Sequence, residues 1–173
     1  GTQGENKPQT KTDEKGFYSY DGYVVKTDYP LDEDSVNKAA EKIKNIYDMY
    51  LEGTNVQPYY SIVPDKNYCI GAEAGIDTID YKKMVDLMKL KTDYMPYLDI
   101  TRLLGITDYY KTDAHWRQEK ITDVAAELAE AMGVSLNAEY ETKEAKADFV
   151  GAYSRQSDLE MKAEPLNYLY NAL

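Results

Sequence analysis

The chain has 173 residues, the length of one ordinary domain, with 43% hydrophobic and 29% charged residues, a globular composition. Its 31 acidic residues outnumber 20 basic ones, for a formal net charge of −11. No Lys/Arg cluster stands out, which argues against nucleic acid and against anionic membrane surfaces, since both are bound largely through neutralised phosphate.

No run reaches the roughly 18 apolar residues of a transmembrane segment, so none is expected. The single cysteine, Cys69, forms no intrachain disulfide. Between Tyr68 and Ile70 it reads as a small buried hydrophobe rather than a reactive thiol. Residues 1–16 (GTQGENKPQTKTDEKG) are polar and read as a flexible linker. An opening glycine followed by such a tether suits a chain cut just behind an N-terminal signal or anchor. Residues 17–173 read as a single, partial domain.

In chain order, residues 17–29 (FYSYDGYVVKTDY) are strand-like, and Asp21-Gly22 predicts a hairpin turn. Asp34 or Ser35 can cap a helix. Val36, Ala39, Ala40, Ile43, Ile46, Tyr47, Tyr50 and Leu51 give that helix an amphipathic repeat, and Gly53 ends it. Residues 58–63 (PYYSIV) predict a short buried strand stopped by Pro64. A loop with Gly71 and Gly75 follows. Asp80 starts a second helix, with Met84, Val85, Leu87 and Met88 inside. Residues 97–100 (YLDI) predict another strand, parallel to 58–63. A helix over about 118–132 carries Ile121, Val124, Ala125, Leu128, Ala129 and Met132 on one face and closes at Gly133. Residues 140–148 are charged, 149–154 suit a strand and turn, and 158–173 suit either a short helix or an extended arm. Strand–helix alternation points to an α/β layer fold with a partly parallel sheet.

Tyrosine is the outlier, 18 residues against 2 Phe. Most suit core and strand packing; a few could form a carbohydrate platform. The only histidine and only tryptophan lie together in Tyr109-Tyr-Lys-Thr-Asp-Ala-His-Trp116, where the chain enters a helix. An Asp carboxylate can fix the imidazole tautomer and stabilise the imidazolium, leaving the other ring nitrogen to take a proton. Asp113 and His115 would thus supply two thirds of a triad. Spacing alone favours a purely structural histidine, a satisfied core or surface residue, over a catalytic one. One His with scattered carboxylates lacks a metal-ligand spacing, so neither a metal nor another cofactor is expected.

The block from Tyr109 to Trp116, followed by an amphipathic helix ending at Met132-Gly133, resembles the signature of the DHHW family. That family is related to the SGNH-hydrolase-like domains of alginate O-acetyltransferases, which carry a similar Thr-Asp-x-His-Trp block. Residues 21–25 (DGYVV) resemble its early strand, 61–66 (SIVPDK) its Val-Pro-Asp-Lys strand end, and 148–154 (DFVGAYS) the block after its signature helix. Ala114 stands where the DHHW pattern has its first His, a position that varies among related domains.

The resemblance implies an SGNH-hydrolase-like (flavodoxin-like) layered fold, incomplete at its C-terminus. It implies a Ser-His-Asp type site with Asp113 orienting His115, His115 as general base, and Tyr110 and Trp116 as substrate contacts. The family's nucleophile serine lies in an Asp-Ser block beyond the last matched region. None of the six serines here, Ser19, Ser35, Ser61, Ser135, Ser154 and Ser157, has a nucleophile setting, and Ser154 is the nearest to a candidate. The chain alone is therefore expected to be silent. The parent would be an extracytoplasmic O-acetylesterase or O-acetyltransferase acting on cell-surface carbohydrate. Two other readings compete: a non-catalytic cell-surface or glycan-binding module, and a fragment that self-associates through its incomplete C-terminal core.

Overall fold

A computed structural model describes residues 10–171. Its elements are mixed α/β, and both of its sheets are small and antiparallel. Strands β1 (Phe17–Tyr20) and β2 (Tyr23–Lys26) form the hairpin that Asp-Gly predicts. Asp21 and Gly22 both have positive φ, 47° and 79°, the geometry of the tight two-residue turn that matches strand twist. Tyr18, Val25 and Tyr23 from this hairpin pack on Ile70 and Ala74.

Helix α1 (Glu33–Tyr50) starts one turn earlier than its apolar repeat suggests. Its cap is Asp32, which accepts from the Ser35 amide at 3.1 Å and from the Ser35 hydroxyl at 2.7 Å. The buried face is narrower than the repeat: Val36 and Ala40 are buried, whereas Ala39, Ile46 and Tyr50 are exposed. Helix α2 (Lys66–Ala74), capped by Asp65, occupies the stretch that reads as a loop. Helix α3 (Tyr81–Lys91), capped by Asp80, falls where expected. It packs on α1 through Met88 and Met84, with Tyr60 and Ile62 beneath.

The two expected strands run side by side and parallel, but they meet at a single bridge, Tyr60 with Tyr97. The Tyr60 amide donates to Pro96 O at 3.1 Å, and the Leu98 amide to Tyr60 O at 2.9 Å. Beyond that point the ladder stops. The Ser61 hydroxyl takes Leu98 O at 2.8 Å, the carbonyl that the next backbone amide of a ladder would need. Pro58, Pro64 and Pro96 remove donors on either side. Residues 58–63 are half-buried to exposed rather than buried. The expected partly parallel sheet is thus a single parallel contact among the described residues.

Helix α4 (Thr122–Ala131) is shorter than the expected 118–132, with a 3-10 turn over Gln118–Lys120 before it. Val124 and Leu128 face Ile100, Leu104 and Tyr109, while Ala125 and Met132 face solvent. Strand β3 (Glu141–Glu144) forms from the charged segment and pairs with β4 (Asn167–Tyr170), so the tail is an extended arm. A one-turn helix, α5 (Tyr153–Gln156), lies between them in sequence.

Of the polar opening, residues 1–9 lie outside the described residues, as does Leu173. Residues 13–16 form a turn in which Asp13 accepts from the Lys15 and Phe17 amides at 2.9 and 2.8 Å. Lys15 ion-pairs Asp158 at 2.6 Å. Among the described residues no helix is long and apolar enough to cross a membrane.

The left-handed turn gives a direct test. Gly22→Ala should lower stability by about 1–2 kcal/mol in urea titration, because an L side chain at positive φ is strained. An unchanged midpoint would mean that the turn relaxes without cost.

Candidate functional site

The Asp-His block is a tight loop rather than the start of a helix. Tyr109 and Trp116 form an antiparallel bridge at its neck, and the Tyr110 amide donates to His115 O at 3.1 Å. The tip, residues 111–114, then turns within the reach of one short loop, and α4 begins only at Thr122.

Within that tip Asp113 is buried, 7% exposed, and His115 is not: its side chain is 81% exposed. Asp113 Oδ1 lies 2.5 Å from His115 Nδ1 and accepts the His115 amide at 3.0 Å. The other oxygen, Oδ2, accepts the Ala152 amide at 2.8 Å. Burial alone would push this carboxyl up. The Ala152 and His115 donors outweigh it and hold Asp113 below the usual carboxylate range. With Nδ1 engaged, Nε2 points into open space and has no hydrogen-bond partner among the described residues.

The loop is held from several sides. Gly151 lies so close that a Cβ there would meet Thr112 O at 2.6 Å and Asp113 Oδ2 at 2.8 Å, and would collide with Asp113 Cβ. The Gly151 amide donates to Thr112 Oγ1 at 2.8 Å, and the Tyr153 amide to Thr112 O at 3.2 Å. The buried Glu164 carboxylate accepts the Thr112 amide and hydroxyl, each at 2.9 Å, and the Lys111 amide at 3.0 Å. From below, the Lys66 ammonium donates to Tyr110 O at 3.0 Å and Lys111 O at 3.3 Å. Burial pushes Lys66 down to about 8, against the pull of Glu164 and Asp113.

The two aromatic residues expected to meet substrate are mostly committed to the fold. Tyr110 is 7% exposed, with its ring 4.8 Å from that of Phe149 and 5.6 Å from the Arg117 guanidinium. Trp116 is half-buried against the Ile100–Tyr109 cluster. Lys66, Gly151, Ala152 and Glu164 are the residues that sequence reasoning missed. Lys66 lies in the Val-Pro-Asp-Lys block and Gly151 in the Phe-Val-Gly-Ala-Tyr block, so the sequence did carry a signal for both. Cys69 is half-buried in α2, and burial pushes its thiol up to about 11, which suits a packing role. No cluster of three or more metal-ligating side chains occurs among the described residues.

Neither a scan of protein-family models nor a search of curated proteins finds a match. Solved structures do. PatB1 from Bacillus cereus matches with a TM-score of 0.65 at 15% identity, over 90% of this chain and 58% of PatB1. PatB1 carrying a sulfonyl adduct matches with a TM-score of 0.64 at 15% identity, over 90% of this chain and 55% of that one. The likeness is one of fold, and this chain spans less than three fifths of either neighbour.

Two outcomes check the site. Asp113 titrates lower in the folded protein than the usual 3.8, so its ionised form adds stability above pH 3.8 that is lost as pH falls through the lower folded value. Asp113→Asn should therefore flatten the acid limb of a stability–pH curve below pH 4 while lowering stability at pH 7. Gly151→Ala should cost about 1–3 kcal/mol in denaturant titration, because the new Cβ would meet both the Thr112 carbonyl and the hydrogen-bonded Asp113 side chain. A neutral Gly151→Ala would show that the loop is looser than its contacts suggest.

Proposed function

We propose that this chain carries the acid–base half of a Ser-His-Asp acyl-transfer site in a DHHW-type, SGNH-hydrolase-like protein. The parent would move or remove O-acetyl groups on cell-surface carbohydrate, outside the cytoplasm. The observation that carries the reading is the asymmetry of the pair: a buried carboxylate fixed by three hydrogen bonds holds an imidazole whose other nitrogen is open to solvent. A histidine kept only for packing has no need of that exposure.

In the proposed reaction a serine hydroxyl attacks the acetyl carbonyl carbon while His115 Nε2 takes its proton. Asp113 keeps the Nδ1–H tautomer facing inward and stabilises the imidazolium that forms. The imidazolium then returns the proton to the leaving sugar oxygen, and the acetyl group stays on the serine. Water or a second sugar hydroxyl, deprotonated by His115, releases it as acetate or as a new ester. The fold shared with PatB1 supports this reading. So does the sulfonyl adduct on that neighbour, because sulfonyl electrophiles bond to activated nucleophiles.

No serine hydroxyl among the described residues bonds to His115. Ser154 Oγ is spent on Gly151 O at 2.8 Å, and Ser157 Oγ on Tyr153 O at 3.0 Å. The nucleophile therefore belongs, in this proposal, to a segment or chain outside these 173 residues. The same observation favours a second reading, a glycan-binding module that keeps the fold without the chemistry.

Turnover of 4-nitrophenyl acetate separates the two. The 173-residue chain should show none above buffer. Protein expressed from the full reading frame should hydrolyse the ester, and His115→Ala should lower its rate by about 10²–10⁴-fold. Serine-dependent turnover by the 173-residue chain would overturn the placement of the nucleophile. A full-length protein inactive on aryl and glycan acetyl esters alike would favour the binding module.

A further inference from the structure

Lys66 is 2% exposed, and the acyl-transfer scheme gives its ammonium no task. An amine so deeply buried is costly to ionise. Here it is surrounded by acceptors. Its Nζ donates to two successive carbonyls, Tyr110 O and Lys111 O, and lies 4.8 Å from the centre of the Tyr153 ring. Glu164 and Asp113 are the charges that favour the ammonium against burial.

The two carbonyls it holds immediately precede Thr112-Asp113. Glu164 grips the same two peptide units from the other side, through the Lys111 and Thr112 amides. One buried cation on the carbonyls and one buried anion on the amides leave residues 110–112 little freedom. The Asp113 side chain follows directly from that clamped backbone. Its Oδ2 must meet an amide 39 residues away in sequence, on Ala152, and only a fixed backbone delivers it there.

Lys66 is itself fixed. It is the first residue of α2, behind the Asp65 cap, and its neighbour Asn67 accepts the Tyr18 hydroxyl at 2.7 Å and donates to Lys26 O at 2.5 Å. Pro64 O accepts the Tyr109 hydroxyl at 2.6 Å. The start of α2 is thus bonded both to the β1–β2 hairpin and to the neck of the site loop.

We infer that Lys66 and Glu164 form a two-sided ionic clamp that positions the Asp113–His115 pair, Lys66 acting on the carbonyls and Glu164 on the amides of the loop that carries it. In the acyl-transfer reading they are positioning residues, since neither touches the imidazole. The inference deepens that reading but is tested without substrate, so failure of the chemistry and failure of the clamp are told apart.

The sole histidine makes the test clean. Long-range ¹H–¹⁵N correlation of neutral His115 reports its tautomer, and amide hydrogen exchange of Ala152 reports the bond to Asp113. In the 173-residue chain, Lys66→Met should speed Ala152 exchange by about ten- to a hundredfold relative to amides in α1 and α3, as expected when a hydrogen bond to a charged group is lost. It should also shift His115 from the Nδ1–H toward the Nε2–H tautomer. Lys66→Arg, which keeps charge and donors, should restore most of both signals. Glu164→Gln should loosen the loop from the opposite side with the Lys66 contacts intact, and it decides the matter if Lys66→Met fails to fold. A purely structural Lys66 would speed all amides together and leave the tautomer and the relative Ala152 rate unchanged. That result, or wild-type signals in Glu164→Gln, would overturn the clamp.

Discussion

The buried carboxylate of Glu164 is the constraint on which the rest of the molecule depends. Three donors from two consecutive residues, Lys111 and Thr112, converge on it. A carboxylate in a dry interior is tolerated only when its lone pairs are taken up, and here the site loop takes them up. The same residue pairs its backbone with Phe149 in both directions, at 2.9 and 3.0 Å. One glutamate therefore joins the loop near the middle of the chain to two later segments. Gly151, Ala152 and Tyr153, which wall the site, are placed by that junction.

Much of the local structure was legible. The Asp-Gly turn, α3 with its Asp80 cap and the core of α4 all come from short-range patterns whose physics is local. What was not legible failed for identifiable reasons. Helix α2 contains Lys66, Asn67 and Gly71, is capped by Gly75 and buries both polar residues, so it shows no amphipathic stripe. Strand β3, Glu-Thr-Lys-Glu, is almost wholly exposed and is a strand only because β4 pairs with it. The parallel pair at Tyr60 and Tyr97 was placed correctly and given the wrong extent. A side-chain hydroxyl and the prolines end a ladder that apolar content alone would continue.

The site divides the same way. Asp113 and His115 are two residues apart, and their contact is a local turn of the kind that aspartate forms with the backbone two residues on. Sequence could find it. Ala152, Glu164 and Lys66 lie 39 to 53 residues from the groups they bind. No periodicity encodes such pairings. Tyr110 and Trp116, which the resemblance implies as substrate contacts, also pack within the fold: Tyr110 is buried against Phe149 and Trp116 is half-buried on the Ile100–Tyr109 cluster.

The division of labour within the pair follows from where each group sits. In the proposed acyl transfer a general base must reach its proton, which suits an imidazole whose side chain is 81% exposed. In the same proposal the orienting partner is best kept from water, and Asp113 is buried. Sealing a carboxylate raises the energy of its charged form, and the fold offsets this with the Ala152 amide and the His115 donors. Asp113 favours the nearby Lys66 ammonium, yet no hydrogen bond joins the two: Nζ donates to the Tyr110 and Lys111 carbonyls and lies 4.8 Å from the centre of the Tyr153 ring. A direct Lys66–Asp113 ion pair would have competed with the imidazole for Oδ1. Routing the cation through the Tyr110 and Lys111 carbonyls keeps its field near the carboxylate and leaves Oδ1 for His115.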